Sequence, residues 1–167
     1  MPKSKKIKSR STNLDNIRHS LAHLLAAAVL KKYPSAKLGI GPVIENGFYY
    51  DFDFNLSNSP RIKTNESRIT DKDLPEIENE MRRLIKANLS FVGEKTTPVQ
   101  AKKIFKNQPY KLELIRELQK NKESITIYRT LFDKHLMLFA ENSGDIFVDL
   151  CKGPHVKNTK EINPDAF

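Results

Sequence analysis

The stretch Arg18-His19-Ser20-Leu21-Ala22-His23-Leu24-Leu25 sets the first element of the fold and carries two of the four histidines in the chain. Apolar residues recur at helical spacing on both sides of it, and Pro34 ends the pattern. The pattern predicts a helix to about Lys32 that is apolar on nearly all sides, which is typical of a buried helix. A spacing of four places His19 and His23 one turn apart on one face, so both imidazoles are predicted to face inward.

A second short motif, Cys151-x-x-x-His155, contains the only cysteine and a third histidine. It follows the strand-like run Val148-Asp149-Leu150, and its Gly153-Pro154 dipeptide is a turn signal that can fold the motif back on itself. If the two motifs meet in space, they form a His/His/Cys/His cluster. The fourth histidine, His135, has no partner in the sequence, and we interpret it as a structural or surface residue.

Two kinds of chemistry fit such a cluster. Tetrahedral Zn²⁺ accepts these nitrogen and sulfur ligands: four protein ligands make a closed structural site, and three leave a position for an activated water. Alternatively, an imidazole in a desolvated pocket is a general base for water, while neighbouring donors stabilise the oxyanion. Asp149 shares a strand face with Cys151 and can orient a histidine or an amine. Either motif alone is more often structural, and spacing does not decide between the two mechanisms.

The remaining sequence predicts an α+β fold. The Asn46-Gly47 dipeptide lies between two apolar runs and predicts a β-hairpin, whose return strand alternates over residues 48–54. Further helices are predicted from Thr70 or Asp71 to about Asn88, from Thr97-Pro98 onward, and from Pro109 to about Gln119. Further strands are predicted from Phe91 and at residues 125–131, 136–139 and 145–150. Because helices and strands do not alternate strictly, we expect helices packed on a mainly antiparallel sheet, with the site between a buried HxxxH helix and a CxxxH strand and turn.

The composition of the chain indicates the kind of partner that it binds and the compartment in which it acts. The chain has 29 Lys+Arg against 20 Asp+Glu, and its net charge of +9 favours a polyanionic partner, nucleic acid first. Part of the excess lies in residues 1–12, which we interpret as a disordered basic arm before a single domain at residues 13–167. One cysteine excludes an internal disulfide framework and indicates a reducing, cytoplasmic compartment. No apolar run approaches the length needed to span a bilayer, so no membrane partner is expected.

Four collinear blocks carry a resemblance to a known family. They are Arg18 to Leu25, Gly41-Pro42-Val43-Ile44-Glu45-Asn46-Gly47-Phe48-Tyr49-Tyr50-Asp51, Gln108-Pro109-Tyr110-Lys111-Leu112-Glu113, and Val148 to Val156. Together they resemble the amino-terminal editing domain of bacterial-type threonyl-tRNA synthetase. The related alanyl editing domains share the HxxxH and CxxxH pairs. They lack the second block and typically have Gly-Thr-His where this chain has Gly153-Pro154-His155, so the threonyl family is favoured.

The resemblance implies an activity and a set of site residues. In that family the domain hydrolyses the ester of serine wrongly joined to tRNA(Thr). Carried over position by position, the pocket would be lined by His19, His23, Cys151 and His155. Lys111 would help to place the water and the ester, although alone it is typical of a helix surface. Tyr50 and Asp149 would contribute to substrate recognition and to the geometry of the site. The resemblance implies no obligatory metal, although His19, His23, Cys151 and His155 would still accept Zn²⁺.

The same resemblance implies that more protein surrounds this domain. The motifs of a class II catalytic core are absent from the chain, so we do not expect it to activate threonine with ATP. We interpret it as a fragment of a synthetase rather than as a freestanding factor, with tRNA(Thr), seryl-tRNA(Thr) and the synthetase core as partners. Two alternatives stay open: a zinc-dependent alanyl-type deacylase acting in trans, and a non-catalytic RNA-binding module.

Overall fold

The computed structural model describes residues 13–54, 69–132 and 144–165. The predicted basic arm at 1–12, His135 and the predicted strand at 136–139 lie outside the described residues. The described elements are, in chain order, α1 (Asn13–Lys32), β1 (Lys37–Leu38), β2 (Val43–Ile44), β3 (Gly47–Phe48), β4 (Phe52–Asp53), α2 (Leu74–Lys86), β5 (Leu89–Thr96), α3 (Pro98–Ile104), α4 (Pro109–Lys120), β6 (Ile125–Phe132), β7 (Phe147–Leu150) and a short 3₁₀ helix (Thr159–Glu161). The predicted α+β class is confirmed.

The first helix is buried, as predicted. Almost every residue of α1 from Ser20 to Val29 is inaccessible to solvent, and the helix packs against α2 and β7. α3 begins after Thr97, whose side chain accepts a hydrogen bond from the Gln100 N–H, and α4 begins at Pro109. Both positions were predicted, because a side-chain cap and a proline in the first turn are local signals that tertiary contacts seldom override.

The predicted start of the second helix is wrong. α2 begins at Leu74 rather than after Thr70 or Asp71, and Asp73 is the residue that precedes it. Pro75 favours this start, since a proline is tolerated in the first turn of a helix and excluded from its interior. Thr70 does not cap the helix: its N–H and its hydroxyl both donate to Asp73 Oδ2 at 2.8 Å.

The main sheet is antiparallel, with strand order β5-β6-β7. Phe147 on β7 packs into a core formed with α1 and α2, whereas Val148 and Leu150 pack against a second core that includes Ala101 of α3 and Ile115 of α4. The sheet therefore lies between two pairs of helices. Because side chains alternate along a strand, Asp149 shares with Phe147 the face towards α1.

The predicted hairpin is present, but its return strand is interrupted. β2 and β3 pair with Ile44 opposite Gly47, and β1 and β4 pair with Leu38 opposite Phe52. We call the hairpin formed by β1 to β4 the ribbon. Four residues separate β1 from β2, but only three separate β3 from β4, so the first side of the ribbon contains one extra residue, as in a β-bulge. The irregular part includes Tyr50, whose side chain is buried. No helix among the described ranges is long and apolar enough to cross a membrane.

Candidate functional site

The two histidine motifs meet at the junction of α1 and the segment after β7. One ligand atom from each of His19, His23, Cys151 and His155 lies within 4.8 Å of the others. The ring of His155 lies 4.1 Å from that of His19 and 4.2 Å from that of His23, centroid to centroid. We call these four residues the cluster. Its formation confirms the prediction that the HxxxH helix and the CxxxH turn form one site.

Hydrogen bonds inside the cluster orient His19 and Cys151. His19 Nδ1 lies 3.0 Å from the carbonyl oxygen of Pro154, which can only accept, so this nitrogen carries the hydrogen. The Nε2 lone pair of neutral His19 then faces Cys151 Sγ at 3.2 Å. The same sulfur lies 3.4 Å from His155 Nε2 and accepts a hydrogen bond from the Gly153 N–H at 3.1 Å.

Burial keeps the whole cluster uncharged at neutral pH. Desolvation lowers the pKa of His19, of His23 and of His155, and charges on neighbouring groups lower the pKa of the last two further. Desolvation also raises the pKa of the Cys151 thiol to about 12. The cluster therefore offers imidazole lone pairs and a thiol hydrogen rather than ions. Neutral imidazoles are the form needed both for general-base catalysis and for metal ligation.

A buried ion pair lies beside the cluster and is centred on Asp149. Its Oδ1 contacts Lys111 Nζ at 2.6 Å, and its Oδ2 accepts a hydrogen bond from the Tyr50 hydroxyl at 2.6 Å. Lys111 is only 1% exposed and Asp149 only 2%. The lysine is therefore not on a helix surface, which is what its local sequence alone indicated. Burial together with the Asp149 charge raises the pKa of the Tyr50 hydroxyl well above its ordinary value.

His23 connects the ion pair to the cluster. Its Nε2 lies 3.5 Å from Asp149 Oδ2, so Asp149 contacts both a histidine and, through Lys111, an amine. Its Nδ1 is buried and has no hydrogen-bond partner among the described residues. A buried polar atom without a partner is costly in a folded protein, and such atoms are concentrated where a ligand or a water binds.

Three residues around His155 were not identified from the sequence. Ser20 contacts its Nδ1 at 3.2 Å, Phe91 stacks parallel to its ring at 5.2 Å, and the Tyr128 ring lies 4.5 Å away. Ser20 lies inside the HxxxH motif, so its position was the one available signal. Phe91 and Tyr128 are ordinary strand residues by type, and only the pairing of β5 with β6 brings them to the cluster.

Two cavities flank α4. One, of about 390 Å³, lies between α4 and the β1–β4 ribbon, with Asp51, Tyr110 and Glu113 among its lining residues. The other, of about 280 Å³, extends from Leu114 and Leu118 to Cys151 and Lys152. Only the second touches a residue of the cluster, Cys151, and its lining includes none of the three cluster histidines.

We expect Gly41→Ala to disturb the site through Tyr50. A Cβ at position 41 would lie 2.3 Å from Cδ2 of the Tyr50 ring, so the ring that binds Asp149 would have to move. The free energy of unfolding should fall by about 1–3 kcal/mol, as for other overpacked sites. Gly47→Ala is the matched control in the same ribbon, because its Cβ would meet nothing within 4 Å. Equal losses in the two variants, measured by urea unfolding, would contradict this account.

The stability of the protein in acid should depend on the buried His23. Burial holds the pKa of His23 well below 6.5, its ordinary value. Below pH 6.5 the unfolded chain therefore binds a proton that the native chain does not. The free energy of unfolding then falls as the pH is lowered, by at most about 1.4 kcal/mol per pH unit for this one group. Above that pH the imidazole is neutral in both states, so its contribution is constant.

Urea unfolding of chelator-treated protein at about pH 7.5, 6.5 and 5.5 measures this effect. The control is His23→Asn, which places a polar group at the same position but cannot bind a proton in this range. Its stability should depend less steeply on pH than that of the unmodified chain. Identical pH dependence in the two proteins would show that His23 is not held neutral by burial.

Comparison with known proteins shows which proteins this chain is similar to. Residues 140–166, which include the Cys151–His155 motif, match the family described as threonyl and alanyl tRNA synthetase second additional domain. Along nearly its whole length the chain is similar to threonine–tRNA ligases. It is 46% identical over 144 residues to that of Thermotoga neapolitana, 44% over 151 to that of Dehalococcoides mccartyi, and 43% over 158 to that of Borrelia hermsii.

These alignments cover 85%, 90% and 95% of this chain, but only 18%, 21% and 23% of the respective ligases. The chain thus spans about a fifth of the length of the curated relatives that it matches. The resemblance to the editing-domain segment of threonyl-tRNA synthetase is confirmed.

Proposed function

We propose that this chain is a post-transfer editing domain of threonyl-tRNA synthetase and hydrolyses the ester that joins serine to tRNA(Thr). The observation that carries the proposal is the cluster of three neutral imidazoles and one thiol beside a buried lysine–aspartate pair. Similarity to threonine–tRNA ligases supports the choice of parent enzyme. The domain is then an aminoacyl-tRNA ester hydrolase within a threonine–tRNA ligase.

The need for such a hydrolase follows from the size of the two amino acids. Serine lacks one methyl group of threonine, and a pocket large enough for threonine cannot exclude a smaller side chain. One methyl group is worth only about 1–3 kcal/mol of discrimination, which is too little for accurate aminoacylation. A second site that admits serine and rejects threonine by its size removes the error after transfer.

His19 is the residue that we assign to proton transfer. It is half-buried, whereas His23 is 1% exposed, and its hydrogen bond to Pro154 leaves Nε2, which faces Cys151, as the nitrogen that takes a proton. As the water oxygen bonds to the ester carbonyl carbon, Nε2 takes a proton from the water. The ester C–O bond then breaks, and the imidazolium returns the proton to the departing ribose oxygen, so that the atoms and charges balance.

The other residues hold the pocket in shape. The Lys111 ammonium, fixed by Asp149, helps to place the water and offsets negative charge that develops on the carbonyl oxygen. Asp149 and Tyr50 keep that ammonium in position and contribute to recognition of the serine. His23, Cys151 and His155 complete the wall and supply hydrogen-bond acceptors for a water or for the amino group of the substrate. In this mechanism no metal is required.

Hydrolysis of tRNA(Thr) mischarged with serine tests the proposal. The chain should shorten the lifetime of the seryl ester at neutral pH well below its value in buffer. Glu123→Gln is a suitable control, because its exposed ion pair with Lys152 lies outside the proposed machinery. A seryl-ester lifetime equal to that in buffer, with folded protein at saturating concentration, would contradict the proposal.

The wider setting of the domain is also part of the proposal. Its net charge of +9 supports tRNA(Thr) as the partner, since phosphates are bound through Lys and Arg. Because the chain covers only about a fifth of its relatives, we propose that a synthetase core accompanies it in a full-length cytoplasmic enzyme, without a membrane partner.

A zinc-dependent deacylase of the alanyl type is a second candidate, because the donor set fits the ion. The outer nitrogens of His19 and His23 face the Pro154 carbonyl and Asp149, which are the usual partners of histidines that bind zinc. The Nδ1 of His23 is buried without a hydrogen-bond partner in the described residues. Zinc held by three of His19, His23, Cys151 and His155 would supply an activated water; held by all four, it would close the site.

Elemental analysis of protein purified without a metal-affinity tag separates the two candidates. We expect far less than one zinc per chain and serine release that is unaffected by a strong chelator. About one zinc per chain, lost in Cys151→Ser and accompanied by chelator-sensitive hydrolysis, would move the assignment to the zinc mechanism.

A further inference from the structure

Ser20, inside the HxxxH motif, is fully buried where α1 packs against the segment after β7. Its hydroxyl makes three hydrogen-bond contacts. Its hydroxyl donates to the Asn16 carbonyl oxygen at 2.8 Å and accepts from the Val156 N–H at 3.1 Å. The third contact, at 3.2 Å, is with His155 Nδ1. No other hydroxyl in the described part of the chain bonds to a residue of the cluster.

These contacts determine which nitrogen of His155 carries the hydrogen. A hydroxyl has one hydrogen and two lone pairs. The short bond to Asn16 uses the hydrogen, and Val156 occupies one lone pair. All three contacts are attractive only if His155 Nδ1–H donates to the second lone pair. The neutral imidazole of His155 then presents a bare Nε2 to Cys151, at 3.4 Å.

With this arrangement each of the three imidazoles keeps one lone pair, and the lone pairs of His19 and His155 face Cys151. His19 contributes Nε2, because its Nδ1–H is bound to Pro154. His23 contributes Nδ1, since its Nε2 faces the carboxylate of Asp149, which can only accept. His155 contributes Nε2. The Cys151 thiol has one hydrogen for the two lone pairs that face it, and His23 Nδ1 has no partner in the described residues, so the cluster is adapted to bind a group that donates several hydrogen bonds, such as a water or an ammonium.

We propose that Ser20 is a positioning residue, which fixes the hydrogen of His155 on Nδ1 and thereby keeps the third lone pair facing the cluster. This part of the proposal concerns the histidine itself. Its consequence for catalysis rests on the proposed editing function: without Ser20, His155 would turn its Nε2–H towards the cluster and remove an acceptor from the substrate or the water. The hydroxyl acts through His155 and does not touch the reacting atoms.

Nitrogen NMR of the histidine rings tests the proposal directly. In protein labelled with ¹⁵N-histidine, the His155 ring should show a protonated Nδ1 and an unprotonated Nε2 at neutral pH. Ser20→Ala should shift the population towards the Nε2–H form, and Ser20→Thr, which keeps the hydroxyl, should restore the Nδ1–H form. A protonated Nε2 in the unmodified chain, or an unchanged tautomer in Ser20→Ala, would overturn the proposal.

Kinetics supply the second readout. Ser20→Ala should lower kcat for seryl-tRNA(Thr) about 10- to 100-fold, as for other partners that orient a functional histidine, and Ser20→Thr should recover most of it. Thr159→Val is the matched control, since Thr159 is also fully buried and accepts a backbone N–H, that of Leu89, away from the cluster. An equal loss of kcat in Thr159→Val would overturn the positioning role. If the unmodified chain hydrolyses no ester, the proposed function fails, while the NMR result still decides the role of Ser20.

Discussion

Replacement of Asp149 by asparagine should destabilise this domain more than any other single change at the site. The variant keeps the shape of the side chain but leaves the Lys111 ammonium, 1% exposed, without its counter-charge. Breaking a buried ion pair by removing one partner typically costs about 3–5 kcal/mol, because the other charge stays buried and unpaired. Tyr50 and His23 lose their carboxylate contact at the same time. Urea unfolding should therefore show a large loss, and ester hydrolysis should disappear.

Two further variants isolate the cause. Glu123→Gln breaks an exposed ion pair, with Lys152, and should change the free energy of unfolding far less, because solvent screens the pair. Lys111→Met combined with Asp149→Asn removes both buried charges and should be more stable than Asp149→Asn alone, although inactive. If Asp149→Asn were as stable as Glu123→Gln, the lysine and the aspartate would not form a buried ion pair.

His19→Ala should abolish serine release while the domain stays folded. Loss of a general base typically lowers the rate about 10²- to 10⁴-fold. His19 is half-buried and at the edge of the cluster, so its removal should weaken the fold far less than a change at His23 or Asp149. The measurement is the single-turnover rate of hydrolysis of seryl-tRNA(Thr), made alongside a circular dichroism spectrum and an unfolding curve.

Lys31→Ala is the control for a change on the same helix. Lys31 lies near the end of α1, far along the helix from His19, and its exposed side chain pairs with Glu80. It should retain the full rate and nearly the full stability, because surface pairs contribute little. Undiminished hydrolysis in His19→Ala would remove this histidine from the mechanism and leave His155 as the remaining half-buried base of the cluster.

Much of this fold could be predicted because its signals are local. The apolar run around His19 and His23 specifies a buried helix, Thr97-Pro98 and Pro109 mark two helix starts, and the spacing of the two motifs indicates one site. The second helix was placed too early because Thr70 and Asp71 are good caps by type. Pro75 and the hydrogen bonds from Thr70 to Asp73 decide the actual start. The return strand of the hairpin is interrupted because the ribbon contains one extra residue, which no alternation pattern reveals.

The residues that surround the cluster are brought to it by contacts between segments that are distant in the sequence. Lys111 has the sequence context of a surface lysine, yet the fold buries it against Asp149 on another element. The resemblance to a known family identified Lys111, whereas residue type and spacing did not. Ser20 bonds to a histidine 135 positions away, and Phe91 and Tyr128 reach that histidine through the pairing of β5 and β6. Such long-range neighbours carry no local pattern, so only the structure reveals them.

The rates at which the chain hydrolyses two esters test most directly the claim that it is an editing site selective for serine. Seryl-tRNA(Thr) and threonyl-tRNA(Thr) would be supplied in separate single-turnover reactions with the unmodified chain, each with and without a strong chelator. We expect the seryl ester to be hydrolysed at least about 10-fold faster than the threonyl ester, since the pocket must discriminate by one methyl group. The chelator should change neither rate. Equal rates for the two esters, or loss of serine release on chelation, would contradict a metal-free editing site selective for serine.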